Sequence, residues 1–149
     1  MRTFSFLFCW LIAFTLAAQP IKEKMKVTDM LNVKLVTQLV SHPSGEMAVY
    51  VLNSIEPDKE NKGEYKYLNQ LVLVSLVPPY QHRTLTGKEG ASQPAFSPDG
   101  KQLVFVRPAE GKPQLFLLRL DGGEAIQLTQ SKYGATNPVW SPDGKQIEI

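Results

Sequence analysis

Pro94-Ala95-Phe96-Ser97-Pro98-Asp99-Gly100-Lys101-Gln102-Leu103 returns, little changed, as Pro138-Val139-Trp140-Ser141-Pro142-Asp143-Gly144-Lys145-Gln146-Ile147. The two copies lie 44 residues apart, as from Pro94 to Pro138. In Ser-Pro-Asp-Gly the second-place Pro presets the φ of a type I turn, Ser caps the turn, Asp suits the third place and Gly fits the exit. A short apolar run precedes the turn and another follows it, which is a β-hairpin signal with a stated mechanism.

A self-match at this period marks a repeat architecture, and a β-propeller with four-stranded blades of about 40–45 residues is the first reading. A degenerate third copy comes earlier, where Ser41-His42-Pro43-Ser44-Gly45-Glu46 leads into Met47-Ala48-Val49-Tyr50-Val51. Pro43 aligns with Pro98 and Pro142, and Gly45 with Gly100 and Gly144; His42 stands where the later copies have Ser. Between the clear copies, strands are expected at 94–96, 102–107, 114–120 and 124–128, with a loop at 108–113 and a turn at Asp121-Gly122-Gly123. Residues 53–66 are polar and charged and read as a long exposed hairpin loop. Tyr67 to Val77 is the next apolar strand, closed by Pro78-Pro79, and His82 to Leu85 an outer edge strand.

The chain has 149 residues, with 16 basic against 14 acidic side chains, and no basic cluster that would point to nucleic acid. Arg2, the apolar run from Phe4 to Leu16 and the small pair Ala17-Ala18 give the charged, apolar and small-residue order of a secretory leader. Its apolar run is short of the roughly 20 residues a bilayer span needs, so no stable membrane span is expected once it is cleaved. Cys9 is the single cysteine and falls inside this leader, so the mature chain would be indifferent to redox conditions. Val27-Thr28-Asp29-Met30-Leu31 then starts a short helix for which Thr28 is the expected cap. The expected layout is a signal peptide at 1–18, a helical or linker segment at 19–37 and an all-β partial β-propeller at 38–149. That propeller holds about two four-stranded blades, at 38–88 and 92–132, and the truncated start of a third at 136–149.

The Ser-Pro-Asp-Gly-Lys element, with Phe96 or Trp140 before it and an apolar strand after it, resembles the WD-like propeller repeat of exported bacterial proteins. Two groups carry that repeat most often: the propeller domains of prolyl oligopeptidase family serine peptidases, and the TolB-like periplasmic propellers. TolB-like proteins place an α/β domain ahead of the propeller, and residues 19–37 are too few for one. The short Thr28-Asp29-Met30-Leu31 start, followed by an irregular first repeat, is more similar to the exported dipeptidyl- or acylaminoacyl-peptidase branch. That resemblance implies a parent with further blades and a C-terminal hydrolase domain acting on peptides, the propeller gating access. The alternative it leaves open is a non-catalytic TolB-like propeller that binds protein partners.

No catalytic, cofactor-binding or metal-ligating residue is assigned. The hydrolase nucleophile of the family sits in Gly-x-Ser-x-Gly, and that motif does not occur in these 149 residues. His42 and His82 have no paired acid at a telling spacing, and the turns account for Asp99 and Asp143. Asp29 belongs to the first helical turn, Phe96 and Trp140 to blade core, and Tyr65, Tyr67 and Tyr80 to strand packing or the surface near the loop. Asp121-Gly122-Gly123 is followed by no helix and is therefore no phosphate loop. Two blades and a stub leave Val104, Phe105, Leu115, Phe116, Leu117 and Leu118 short of packing surface, so the chain is expected to be the N-terminal part of a longer protein.

Overall fold

The computed structural model describes residues 24–87 and 90–149. The expected leader lies outside the described residues. What is described forms three antiparallel sheets whose strands follow one another in chain order. The first contains β1 (Leu35–Ser41), β2 (Met47–Pro57), β3 (Tyr65–Ser75) and β4 (His82–Thr84). The second contains β5 (Ser92–Phe96), β6 (Gln102–Ala109), β7 (Lys112–Arg119) and β8 (Ile126–Gln127). In the third, β9 (Val139–Trp140) pairs with β10 (Ile147–Glu148). Each sheet is a meander of hairpins, and the three stack side by side as blades.

The second blade shows why the sequence folds this way. Leu103, Val104, Phe105 and Val106 are buried in succession, so both faces of β6 are covered. Alternate side chains face opposite ways. Leu103 and Phe105 join Phe116 and Leu118 against Val49, Val51, Leu71 and Leu73 of the first blade. Val104, Val106 and Leu115 pack with Ala135, Trp140 and Ile147 of the third. The expected shortage of packing surface is therefore absent here: Val104, Phe105, Leu115, Phe116 and Leu118 are all buried, and only Leu117 is half-buried. Two strands of the third blade suffice to cover the face. Exposed apolar groups lie instead at both ends of the arc, at Met30, Val33, Leu35, Val36 and Leu39 and at Val139 and Ile149.

Several local expectations change. The loop expected at 53–66 shrinks to 58–64, because β2 and β3 stay in register as far as Pro57 opposite Tyr65. Ile55 pairs with Tyr67 and Ser54 with Leu68, so cross-strand contacts carry this polar stretch as strand. The loop expected at 108–113 is a two-residue turn. Glu110 (φ 51) and Gly111 (φ 75) are both left-handed, which matches the twist of a tight hairpin and lets Ala109 pair with Lys112. The fourth strand of the second blade is only Ile126–Gln127, shorter than expected. The N-terminal segment forms a single 3-10 stretch, Val27–Asn32. Thr28 does not cap it; the Lys26 N–H donates to the Asp29 carboxylate at 2.7 Å.

The blades repeat one another atom by atom at their ends. Thr86 and Thr129 each accept, through Oγ1, the N–H of Leu71 and Leu115 at 2.9 Å. Ala91 and Ala135 donate their N–H groups to the carbonyls of Asn69 and Pro113 at 2.8 Å. Each bond ties the outgoing edge of a blade to its own third strand, so the chain enters the next blade at a fixed angle. Phe105, fully buried and stacked on Phe116 at 6.0 Å between ring centroids, stands at the centre of the first interface. Phe105→Ala is expected to cost about 3–5 kcal/mol in urea unfolding, whereas truncation of the exposed Ile126 should cost under about 0.5 kcal/mol.

Candidate functional site

The Ser-Pro-Asp-Gly turns are the most regular polar structure in the chain. Ser97 Oγ donates to Asp99 Oδ1 at 2.6 Å and accepts the Gln102 N–H at 3.0 Å, while the Lys101 N–H donates to the same carboxylate at 3.0 Å. Ser141, Asp143, Lys145 and Gln146 repeat the arrangement, with the serine hydroxyl donating at 2.7 Å. The serine hydrogen bond, and then the backbone N–H, hold both carboxyls below the usual aspartate value. These serines are not nucleophiles in waiting. Each hydroxyl hydrogen-bonds within its own turn rather than to an imidazole.

The turns also form the seam between blades. His42 takes the place of a turn serine, and its ring crosses to the next blade. Nε2 lies 2.9 Å from the Gly100 carbonyl, and the ring meets Phe96 edge-on at 5.0 Å. On the other side of the ring the Ser44 N–H donates to Nδ1 at 3.1 Å. Nδ1 is thus an acceptor, and the network assigns the proton to Nε2, which donates to the carbonyl. Gly100 must be glycine: its φ is 72°, and a Cβ would fall 2.2 Å from His42 Nε2. One blade further on, Gly144 stands over Pro98, which a Cβ would touch at 3.4 Å.

His82 lies apart from this seam, with its Nδ1 3.3 Å from the Tyr50 hydroxyl on the surface of the first blade. Asp29 closes the 3-10 stretch, Phe96 and Trp140 are blade core, and Tyr65, Tyr67 and Tyr80 are exposed. Trp140 also donates its Nε1–H to the Ala95 carbonyl at 3.1 Å. Asp121 pairs with Arg119 at 2.6 Å beside the Gly122-Gly123 turn. Among the described residues no three His, Cys, Asp or Glu side chains converge on a metal site. No described helix is long and apolar enough to cross a membrane.

A cleft of about 520 Å³ runs between the first two blades and is lined by Met47, Lys101, Gln102, Arg119, Leu120 and Asp121, among others. Its charges are those of the turns and of the Arg119–Asp121 pair, and it holds no nucleophile with a base. At the tip of the β2–β3 hairpin, Asp58 is a second polar centre, its side chain 3% exposed. It accepts the Glu60 N–H at 2.9 Å and the Asn61 side chain at 3.1 Å, and pairs with Lys66 at 3.1 Å. The Glu60 N–H, with Lys66 and Asn61, outweighs burial and lowers its pKa to about 2. Sequence reading passed over Gln38, Gln93 and Asn137, which link the inner strands. Their available signal was an amide side chain placed just before Pro94 and Pro138 in the two clear copies.

Antiparallel blades, packed face to face and joined edge to edge by recurring turns, define an arc of a β-propeller. The chain belongs to the PD40 family, the TolB β-propeller domain, which matches residues 65–149. It is 31% identical over 109 residues to the uncharacterized peptidase YuxL of Bacillus subtilis, a match covering 72% of this chain and 16% of that protein. Among solved structures, an acylaminoacyl peptidase in complex with Z-Gly-Gly-Phe-chloromethyl ketone aligns with a TM-score of 0.65 at 20% identity, over 80% of this chain and 18% of its own. TolB from Acinetobacter baumannii aligns at 0.59 and 23% identity, over 76% of this chain and 26% of its own. The chain thus spans about a quarter or less of each of these relatives.

Two outcomes are expected. Gly100→Ala should lower unfolding free energy by about 1–3 kcal/mol, and more than Gly45→Ala, because a Cβ at Gly45 meets nothing within 4 Å. Removing the ring with His42→Ala should narrow that difference. The second concerns pH. The native Asp58 carboxyl takes up its proton at lower pH than the unfolded one, so its contribution is complete above the ordinary value of 3.8 and is lost as pH falls towards about 2. Asp99 and Asp143 act with the same sign. Urea midpoints of the native chain should drop more steeply across that window than those of Asp58→Asn.

Proposed function

We propose that this chain is the N-terminal propeller segment of an exported serine peptidase of the prolyl oligopeptidase family. In the parent, the blades gate access of peptides to a hydrolase domain that supplies the nucleophile, base and acid. The segment itself binds and shapes the approach and cleaves nothing. Export rests on the leader expected at residues 1–18, and the mature chain would then begin at Gln19.

The observation that carries this reading is the reach of the peptidase match. It covers 109 residues, more than the 60 from Gly90 to Ile149 that hold the second and third blades, so it extends into the irregular first blade. The curated TolB of Bordetella pertussis matches over 59 residues, 39% of this chain. What favours the second reading, a non-catalytic TolB-like propeller that holds protein partners, is the family match itself.

A fluorophosphonate probe, which labels activated serines, separates the two. The parent gene product, purified from its source, should take up the probe and hydrolyse short peptide substrates, and the 149-residue chain alone should do neither. A parent that remains unlabelled and inert while retaining protein partners would overturn the peptidase reading. Intact mass of the exported product should place its first residue at Gln19; a retained Met1 would contradict export by cleavage.

A further inference from the structure

One residue near the start of each blade's innermost strand adopts a left-handed backbone: Gln38 (φ 50), Gln93 (φ 52) and Asn137 (φ 56). In β1 and β5 this residue falls where the strand register shifts, between Thr37 and Val40 and between Ser92 and Ala95. It is the extra residue of a β-bulge, so its N–H is turned out of its own sheet. A non-glycine residue at such a φ is strained, and an N–H removed from its ladder needs another acceptor. The preceding blade provides one. Gln38 Oε1 accepts the Gln93 N–H at 2.7 Å, and Gln93 Oε1 accepts the Asn137 N–H at 2.7 Å.

Two successive junctions therefore carry the same bond in the same place. Among the described residues the other polar contacts between blades differ from junction to junction: His42 reaches the Gly100 carbonyl and Arg83 the Leu120 carbonyl at the first, and Trp140 reaches the Ala95 carbonyl at the second. The third member of the series, Asn137, is exposed and its carboxamide has no partner among the described residues. Beside it Val139 is 60% exposed on the face of the third blade turned away from the second. That side of the third blade presents Val139 and, at the position Gln93 holds in the second blade, an amide side chain with an acceptor oxygen.

We propose that this carboxamide ladder sets the register between consecutive blades, and that Asn137 offers its oxygen to the bulge N–H of a fourth blade of the same repeat, on the same polypeptide. The relatives, of which this chain spans 16–26%, have the length to supply one. The inference rests on the part of the proposed function that gives the parent further blades. It does not depend on peptidase activity.

Amide hydrogen exchange tests it in two steps. In the native chain, Gln93→Leu should speed exchange of the Asn137 N–H about tenfold. The Ala135 N–H, bonded to the Pro113 carbonyl at 2.8 Å, should be unchanged. Gln93→Glu keeps an acceptor oxygen and should keep the protection. In the second step, residues 106–149 are repeated directly after Ile149, adding one whole period of 44. The Asn137 N–H of the appended copy should then be protected, and Asn137→Leu in the native part should release it. An Asn137 N–H that stays protected in a folded Gln93→Leu chain overturns the ladder. An appended copy without protected amides, on blades that keep theirs, overturns the fourth-blade claim. Neither result bears on serine labelling of the parent.

Discussion

The second blade is buried on both faces, and the rest of the structure follows from that. A sheet reading Leu103-Val104-Phe105-Val106 has no polar face to show to water, so it is stable only between two others. The first blade supplies one cover through Val49, Val51, Leu71 and Leu73, and the third supplies the other through Ala135, Trp140 and Ile147. Burial of this kind is non-directional. It brings sheets together without fixing how they sit, and that task falls to polar groups with defined geometry.

Those groups lie at two levels along each junction. At the turns, the ring of His42 fits into the space left by Gly100, and Pro98 fits against Gly144. Along the inner strands, an amide side chain of each blade meets the bulge N–H of the next. Both devices use backbone in the left-handed region, where a neighbour's side chain is needed to offset the strain or fill the gap. The blades are thus similar modules whose ends are complementary. Ser97, Asp99, Ser141 and Asp143 hydrogen-bond within their turns, and His42 is held in the seam between blades.

The fold was legible because its signal is local and repeated. Pro98, Asp99 and Gly100, matched by Pro142, Asp143 and Gly144, state a turn between apolar runs twice over. The departures have physical causes that composition hides. Residues 53–57 look like loop because they are polar, yet they are strand, held in register by cross-strand pairs such as Ile55 with Tyr67. The turn at Glu110-Gly111 was obscured by prolines on either side, which sit opposite one another as Pro108 and Pro113. The burial of Val104 and Leu115 could not be read from their own blade, because the covering groups come from residues about 20–40 positions further on. His42 was correctly read as a turn residue, but its reach to Gly100, 58 residues away, depends on how two blades are stacked. Gln38 and Gln93 carry no catalytic or metal-binding signature, and their role becomes visible only when the inner strands are side by side.

The central claim is that these residues form one arc of a larger ring encoded on a single polypeptide. Its most direct test is the size of the polypeptide that carries them in the source cell, read by an antibody against residues 90–149. The account predicts a species several times heavier than the 16.7 kDa of this chain. A monomeric species of about that mass or less, found alone and stably folded, would contradict it.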